Sequence, residues 1–209
     1  MSDIIQGSPE WHALRLGKAT ASKITDIMAT HKGGGEAAGR RNYRAQLVVE
    51  RLTGCPTESY MNGAMQWGVD NEASARECYE FATGNAVEQV GFVDHPTIPM
   101  SGASPDGLVG ADGLLEIKCP NSATHIEYLK ASVVPADYQK QMLWQMACTG
   151  RKWCDFVSYD PRMPTELQLF IIRFDRNESA IDAISAEIIR FLAEVERDVA
   201  DLKAIAATR

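Results

Sequence analysis

The chain has 209 residues, 45% of them hydrophobic, enough for one sizeable core and a single domain over 1–209. Its formal charge of −7 excludes a protein that coats nucleic acid by bulk electrostatics, although local basic patches can still meet phosphate. No apolar run approaches membrane-spanning length and the polar N-terminus lacks a signal-peptide pattern, so a cytoplasmic protein without membrane association is expected. Cys55, Cys78, Cys119, Cys148 and Cys154 are scattered and form no CxxC pair. They fit a reducing compartment and argue against a disulfide framework, a zinc site or an iron–sulfur cluster.

Ser8-Pro9 reads as a helix start, with Ser8 as N-cap and Pro9 in the first turn. A short helix capped by Thr20 is predicted over 21–29. The stretch 30–39, with Gly33-Gly34-Gly35, reads as a loop; lacking a preceding strand and a GK[ST] ending, it is not a phosphate-cradling P-loop. Helices are predicted over 42–52 and 65–81, the second ending near Gly84. Arg40, Arg41, Arg44 and Arg51 concentrate positive charge, ordinarily a solvated helix face, whereas 187–201 is acidic.

One strand is predicted over 87–93, followed by a hairpin with arms over 103–109 and 114–119. Pro135-Ala136-Asp137 opens a helix that closes at Gly150. Strands over 153–159 and 167–174 precede a terminal helix over 178–204. Helices flanking a mixed sheet of about five strands define an α/β fold.

The hairpin carries the sharpest chemical demand. Side chains alternate along a strand, so Glu116 and Lys118 share one face while Ile117 points to the other. If Gly110-Ala111-Asp112 forms a three-residue loop, Asp106 lies opposite Glu116 and joins that face. A Glu-x-Lys pair is ordinarily solvated, but Leu114, Leu115, Ile117 and Cys119 mark this strand as buried, where charges need a partner or a metal. Paired carboxylates attract a hard divalent cation, and a neighbouring lysine suits negative charge developing on phosphate.

Other residues could join such a site. Glu72 borders the apolar stripe of its helix and has two candidate partners: Arg76 at i+4, or the acids at 106 and 116. Tyr138, Gln141 and Gln145 form one polar stripe, able to bond backbone groups or to fix a water or phosphate oxygen. Arg15 follows Trp11 by one turn, and Thr20 and Ser22 open the next helix, an arrangement suited either to an anion or to an ordinary cap with a surface arginine. Ser104 precedes Asp106 by two positions and points to the same side in extended chain.

Trp11-His12-Ala13-Leu14-Arg15-Leu16-Gly17, Thr20-Ala21-Ser22, Trp67-Gly68, Glu72, Ser104-Pro105-Asp106-Gly107-Leu108, Leu115-Glu116-Ile117-Lys118-Cys119-Pro120, Tyr138/Gln141 and Tyr159-Asp160-Pro161-Arg162-Met163 occur in this order. From Trp11 to near Phe174 the chain thereby resembles the lambda-exonuclease and YqaJ-like recombinase family. The resemblance implies a restriction-endonuclease-like PD-(D/E)xK core using two Mg²⁺ ions, with Mn²⁺ able to substitute. It implies digestion of linear duplex DNA from 5′-phosphorylated ends, leaving 3′ overhangs for annealing-type recombination. A homotrimeric ring and a single-strand annealing partner are also implied.

By the same resemblance, Asp106, Glu116 and the Ile117 carbonyl ligate metal, while Glu72 supports the second ion or its water. Lys118 orients or activates the nucleophilic water with help from Gln141. Arg15, Ser22 and Ser104 form the 5′-phosphate pocket, and Met65 is the strand-separating wedge. The glycine-rich 30–39 stretch and Thr124, near which an arginine is expected, depart from the family pattern. Two alternatives share the fold: a sequence-specific endonuclease and a catalytically inactive DNA-binding protein.

Overall fold

A strand buried along nearly its whole length sets the architecture, because it must be covered on both faces. In the computed structural model, which describes residues 4–31, 33, 35–57 and 62–209, that strand is β6 (Gly113–Lys118). It lies in a five-stranded mixed sheet of order β2-β5-β6-β7-β8, with β2 Val87–Glu88, β5 Gly107–Val109, β7 Trp153–Tyr159 and β8 Leu169–Asp175. Only the β6–β7 pair is parallel. Parallel neighbours need a crossover, which α5 (Ser122–Ala131) and α6 (Ala136–Thr149) supply.

Strand alternation sorts the two cores. Leu108, Leu114, Cys154 and Phe156 pack with α6 and with helices α2 (Ile24–Ile27), α3 (Ala38–Thr53) and α7 (Glu178–Ala207). Val109, Leu115, Ile117 and Val157 pack under Ala75 and Tyr79 of α4 (Gly63–Thr83). A second sheet has three strands in the order β1-β4-β3, formed by Ala19–Thr20, Ser101–Ala103 and Val93–Asp94. Helix α1 (Pro9–Arg15) leads into it, with Ser8 capping the Trp11 amide as expected. Among the described residues, no helix is long and apolar enough to cross a membrane and all five cysteines are free.

The hairpin register is the predicted one: Val109 pairs with Gly113 and Gly107 with Leu115 around a three-residue loop. Gly110 enters that loop at φ 52°, a left-handed conformation that favours glycine. Asp106 continues the register, its amide donating to the Leu115 carbonyl at 3.1 Å.

Several expectations are corrected. The 103–109 arm is two strands, because Pro105 has no N–H for a ladder and the chain changes sheets there. The 87–93 strand likewise divides into β2 and β3, one in each sheet. Helix 21–29 is a 3₁₀ turn over Ala21–Lys23 followed by α2, and Thr20 makes no side-chain cap. Its hydroxyl instead lies 3.4 Å from that of Ser22.

Part of the 30–39 loop is ordered structure: Thr30 bridges Glu36, and α3 already includes Gly39. Lys32 and Gly34 of that stretch lie outside the described residues. Helix α5 was not predicted; only His125 on it is buried, so it presents no apolar stripe to read. The last strand begins at Leu169, after a 3₁₀ turn over Thr165–Leu167.

In the basic run Arg41 is exposed, but Arg40, Arg44 and Arg51 are not a solvated face. Arg40 is buried beneath α7, donating to the Ile27 carbonyl at 2.9 Å and pairing with Glu194 at 2.8 Å and Glu187 at 3.1 Å. Arg44 meets Glu36, Glu194 and Asp198 at 3.1–3.2 Å, and Arg51 pairs with Glu196. The acidic C-terminal stretch thus neutralises the basic helix within one chain.

Arg40→Met should remove the buried partner of Glu187 and Glu194, a loss of about 3 kcal/mol by the usual cost of breaking a buried pair. Urea unfolding checks this, and a change below about 1 kcal/mol would show that the network is solvated in solution.

Candidate active site

The β5–β6 hairpin brings together the acids and the lysine that the sequence marked. Asp106 is fixed against β6 by the Ile117 amide, which donates to its Oδ2 at 2.6 Å. Glu116 points from the sheet toward α6 and is fully buried. Its Oε1 accepts from Gln141 Nε2 at 2.6 Å and from the Lys118 ammonium, and its Oε2 accepts from Gln145 Nε2 at 2.5 Å. Lys118 also lies 5.1 Å from the centre of the Tyr138 ring.

These charges are held under tension. Burial, then the charges of Glu116 and Glu72, push the Asp106 pKa well above the ordinary carboxylate range, against the opposing pull of Lys118. Burial disfavours charge on Lys118, yet Glu116 and Asp106 outweigh it and raise its pKa, keeping it an ammonium. Burial, with Glu72 and Asp106 adding to it, pushes the neighbouring Cys119 thiol up to about 12, so it is no nucleophile at neutral pH.

An open cleft of about 570 Å³ leads to this point. One wall is the start of α4, with Met65, Val69 and Glu72; the other holds Asp106, Lys118 and Pro120. Glu72 lines the cleft and accepts from Arg76 at 2.5 Å, the i+4 partner the sequence offered. Met65 stands 54% exposed at the cleft.

Arg15, Ser22 and Ser104 gather beside the hairpin. Arg15 Nη1 donates to Ser104 Oγ at 3.3 Å, and the guanidinium lies 3.9 Å over the Trp11 ring. Ser22 and Arg15 line one cavity of about 260 Å³. The parallel pairing of β1 with β4 is what sets the start of the 3₁₀ turn beside Ser104.

Two side chains received no role from the sequence. Gln145 was visible only as part of a polar stripe, yet it holds the second oxygen of Glu116. Trp11 donates from Nε1 to Ser104 Oγ at 2.9 Å, a role that its i, i+4 spacing from Arg15 could have suggested.

The donor chemistry fits a divalent metal of the hard class. No group of three or more His, Cys, Asp or Glu side chains is gathered as a metal cage among the described residues. Asp106, Glu116 and the Ile117 carbonyl offer oxygen donors, the class that hard divalent cations prefer. The raised Asp106 pKa comes first from burial and then from the charges of Glu116 and Glu72, a state that such a cation would relieve.

A mixed sheet with paired acids and a lysine on its central hairpin defines a restriction-endonuclease-like α/β core. A YqaJ-like viral recombinase domain model matches residues 10–152, and the chain belongs to that family. The crystal structure of an alkaline exonuclease, LHK-Exo, from Laribacter hongkongensis is 50% identical with a TM-score of 0.90, over 96% of this chain and 99% of that one. The structure of LHK-Exo in complex with dAMP is 51% identical with a TM-score of 0.91 at the same coverage. A phage-related exonuclease from Haemophilus somnus 129PT shares the fold at 15% identity and TM-score 0.70, over 88% of this chain and 96% of that one. No curated protein matches the chain.

The crowded acids also set a pH dependence. A carboxyl whose folded pKa is raised binds protons preferentially in the folded state, so its stabilisation is lost as pH rises through that pKa. In chelator, Asp106→Asn should therefore melt above the parent at pH 8, and the gap should shrink toward about pH 4. Thermal melts across that range test this; an Asn variant less stable than the parent at pH 8 would contradict it.

Proposed function

We propose that the chain is an exonuclease that enters linear duplex DNA at a 5′-phosphorylated end, digests that strand with Mg²⁺, and leaves 3′ overhangs for annealing-type recombination. It is a nuclease of the lambda-exonuclease type, and duplex DNA is its substrate. The observation that carries the end-directed reading is the short segment Ser104-Pro105-Asp106. Ser104 accepts from Arg15 and Trp11, and two residues later Asp106 faces Glu116. Among the described residues Arg15 forms no ion pair with a carboxylate, so a half-buried guanidinium beside Ser104 is free to meet an anion. A terminal phosphate suits its fork. The homologue's dAMP complex supports a mononucleotide as a ligand of this fold.

Asp106, Glu116 and the Ile117 carbonyl would hold Mg²⁺, for which Mn²⁺ could substitute, and Glu72 on the facing wall would support a second ion or a water. When bound, the metals acidify the attacking water and offset charge on the phosphodiester. Lys118 donates toward the water or the phosphate oxygens, where a fixed ammonium meets charge as it develops. Gln141 aligns Glu116 and reaches the water from the same side. Met65 presses on the terminal base pair from the cleft mouth, Arg15, Ser22 and Ser104 hold the new 5′-phosphate, and Tyr138 flanks Lys118.

One nuclease domain over 1–209 assembles into a homotrimeric ring and hands its overhang to a single-strand annealing protein in the host cytoplasm. A ring that confines positive potential to its channel reconciles DNA binding with a net charge of −7.

The test is a linear duplex labelled at each strand end, with and without a 5′-phosphate, beside an intact circle. Label should leave from the 5′-phosphorylated end in Mg²⁺ while the circle survives; a cut circle would favour an endonuclease. Asp106→Ala should abolish release.

Arg15→Ala should slow phosphorylated ends about 30-fold, the value of a hydrogen bond to a charged group, and leave hydroxyl ends nearly unchanged. An equal loss on both ends would remove the phosphate pocket from this reading.

A further inference from the structure

The segment Tyr159-Asp160-Pro161-Arg162 lies at the end of β7 and takes no part in the chemistry above. Asp160 is fully buried. Its Oδ1 accepts from the Arg162 amide at 3.0 Å and from Arg162 Nε at 2.7 Å, and its Oδ2 accepts from Nη2 at 3.1 Å. Burial alone would raise the Asp160 pKa, but bonds from Arg162 and Ser122 hold it down at about 2, so the pair is ionised at neutral pH.

This arginine reaches both walls of the cleft. Nη2 also donates to the Pro120 carbonyl at 3.1 Å, on the β6 side. The guanidinium lies 4.3 Å over the ring of Trp67, on α4. Trp67 packs against the apolar core under α4, yet its Nε1 is buried with no partner among the described residues. The indole is therefore oriented by packing and by the cation on its face, not by a hydrogen bond. Met65 lies two residues before Trp67, and Gly68 and Val69 directly after it line the cleft.

We infer that Arg162 is a positioning residue: braced by Asp160 on the sheet, it locks Trp67 and so sets Met65 against the end of the duplex. This rests on the end-directed reading given above. A lysine could not replace it, because it lacks both the fork that grips Asp160 and the planar face that stacks on indole.

The experiment measures single-turnover release of the first nucleotide from two linear duplexes, one with fully paired ends and one with mismatched terminal pairs. Arg162→Lys should slow paired ends about fivefold, the scale of a solvent-exposed cation–π contact, and mismatched ends by less than about twofold. Trp67→Leu keeps the Asp160–Arg162 pair and removes only the ring, and it should reproduce that pattern. Full activity of Arg162→Lys on paired ends would overturn the inference in favour of a simple charge contact with DNA. Equal slowing on both substrates would overturn it in favour of general damage to the site. If the unmodified protein released no nucleotide from either duplex, the end-directed reading itself would fall, a result distinct from both.

Discussion

A fully buried glutamate on the central strand is the constraint around which the rest is arranged. Glu116 sits where an isolated charge would be severely destabilising. Two glutamines from α6 and the next lysine on its own strand satisfy its oxygens. That requirement fixes the rotation of α6 against the sheet, and it places Tyr138 on the turn that faces the cleft. It also makes β6 both a core strand and a reactive one. Period-two alternation sends Leu115 and Ile117 under α4 and Glu116 toward α6.

The second carboxylate depends on a sheet change. Had β4 run straight into β5, Asp106 would have been one residue of a regular ladder. Pro105 breaks that ladder, leaving Asp106 at the strand entrance with its carboxylate bonded back to the Ile117 amide. The conflict between two acids and one ammonium is retained by the fold, because neighbouring packing over-determines every side chain in it. Such local electrostatic conflict is typical of functional sites.

Much of this was legible in the chain because it is local. An odd-length turn, Gly110-Ala111-Asp112, is enough to set a hairpin register, and the register alone puts positions 106 and 116 opposite each other. The i, i+3, i+7 stripe of α6 was equally readable, although nothing local says that its second glutamine meets the other oxygen of the same acid. Long-range pairing was not legible. Arg40 and Glu194 are 154 residues apart, so a basic run looked like a solvated surface until α7 was laid across it. Helix α5 escaped notice because it buries almost nothing, and Thr20 looked like a cap because capping and paired-hydroxyl roles use the same residue type.

The step from Ser104 to Asp106 carries a geometric consequence. Two extended residues span at most ~7 Å, and this pair straddles a proline whose φ is locked. On the reading proposed above, the distance between the group that holds a phosphate and the group that cuts is therefore written into covalent structure. On that reading the segment is a ruler short enough to measure a single nucleotide, and the size of the product would follow from the backbone.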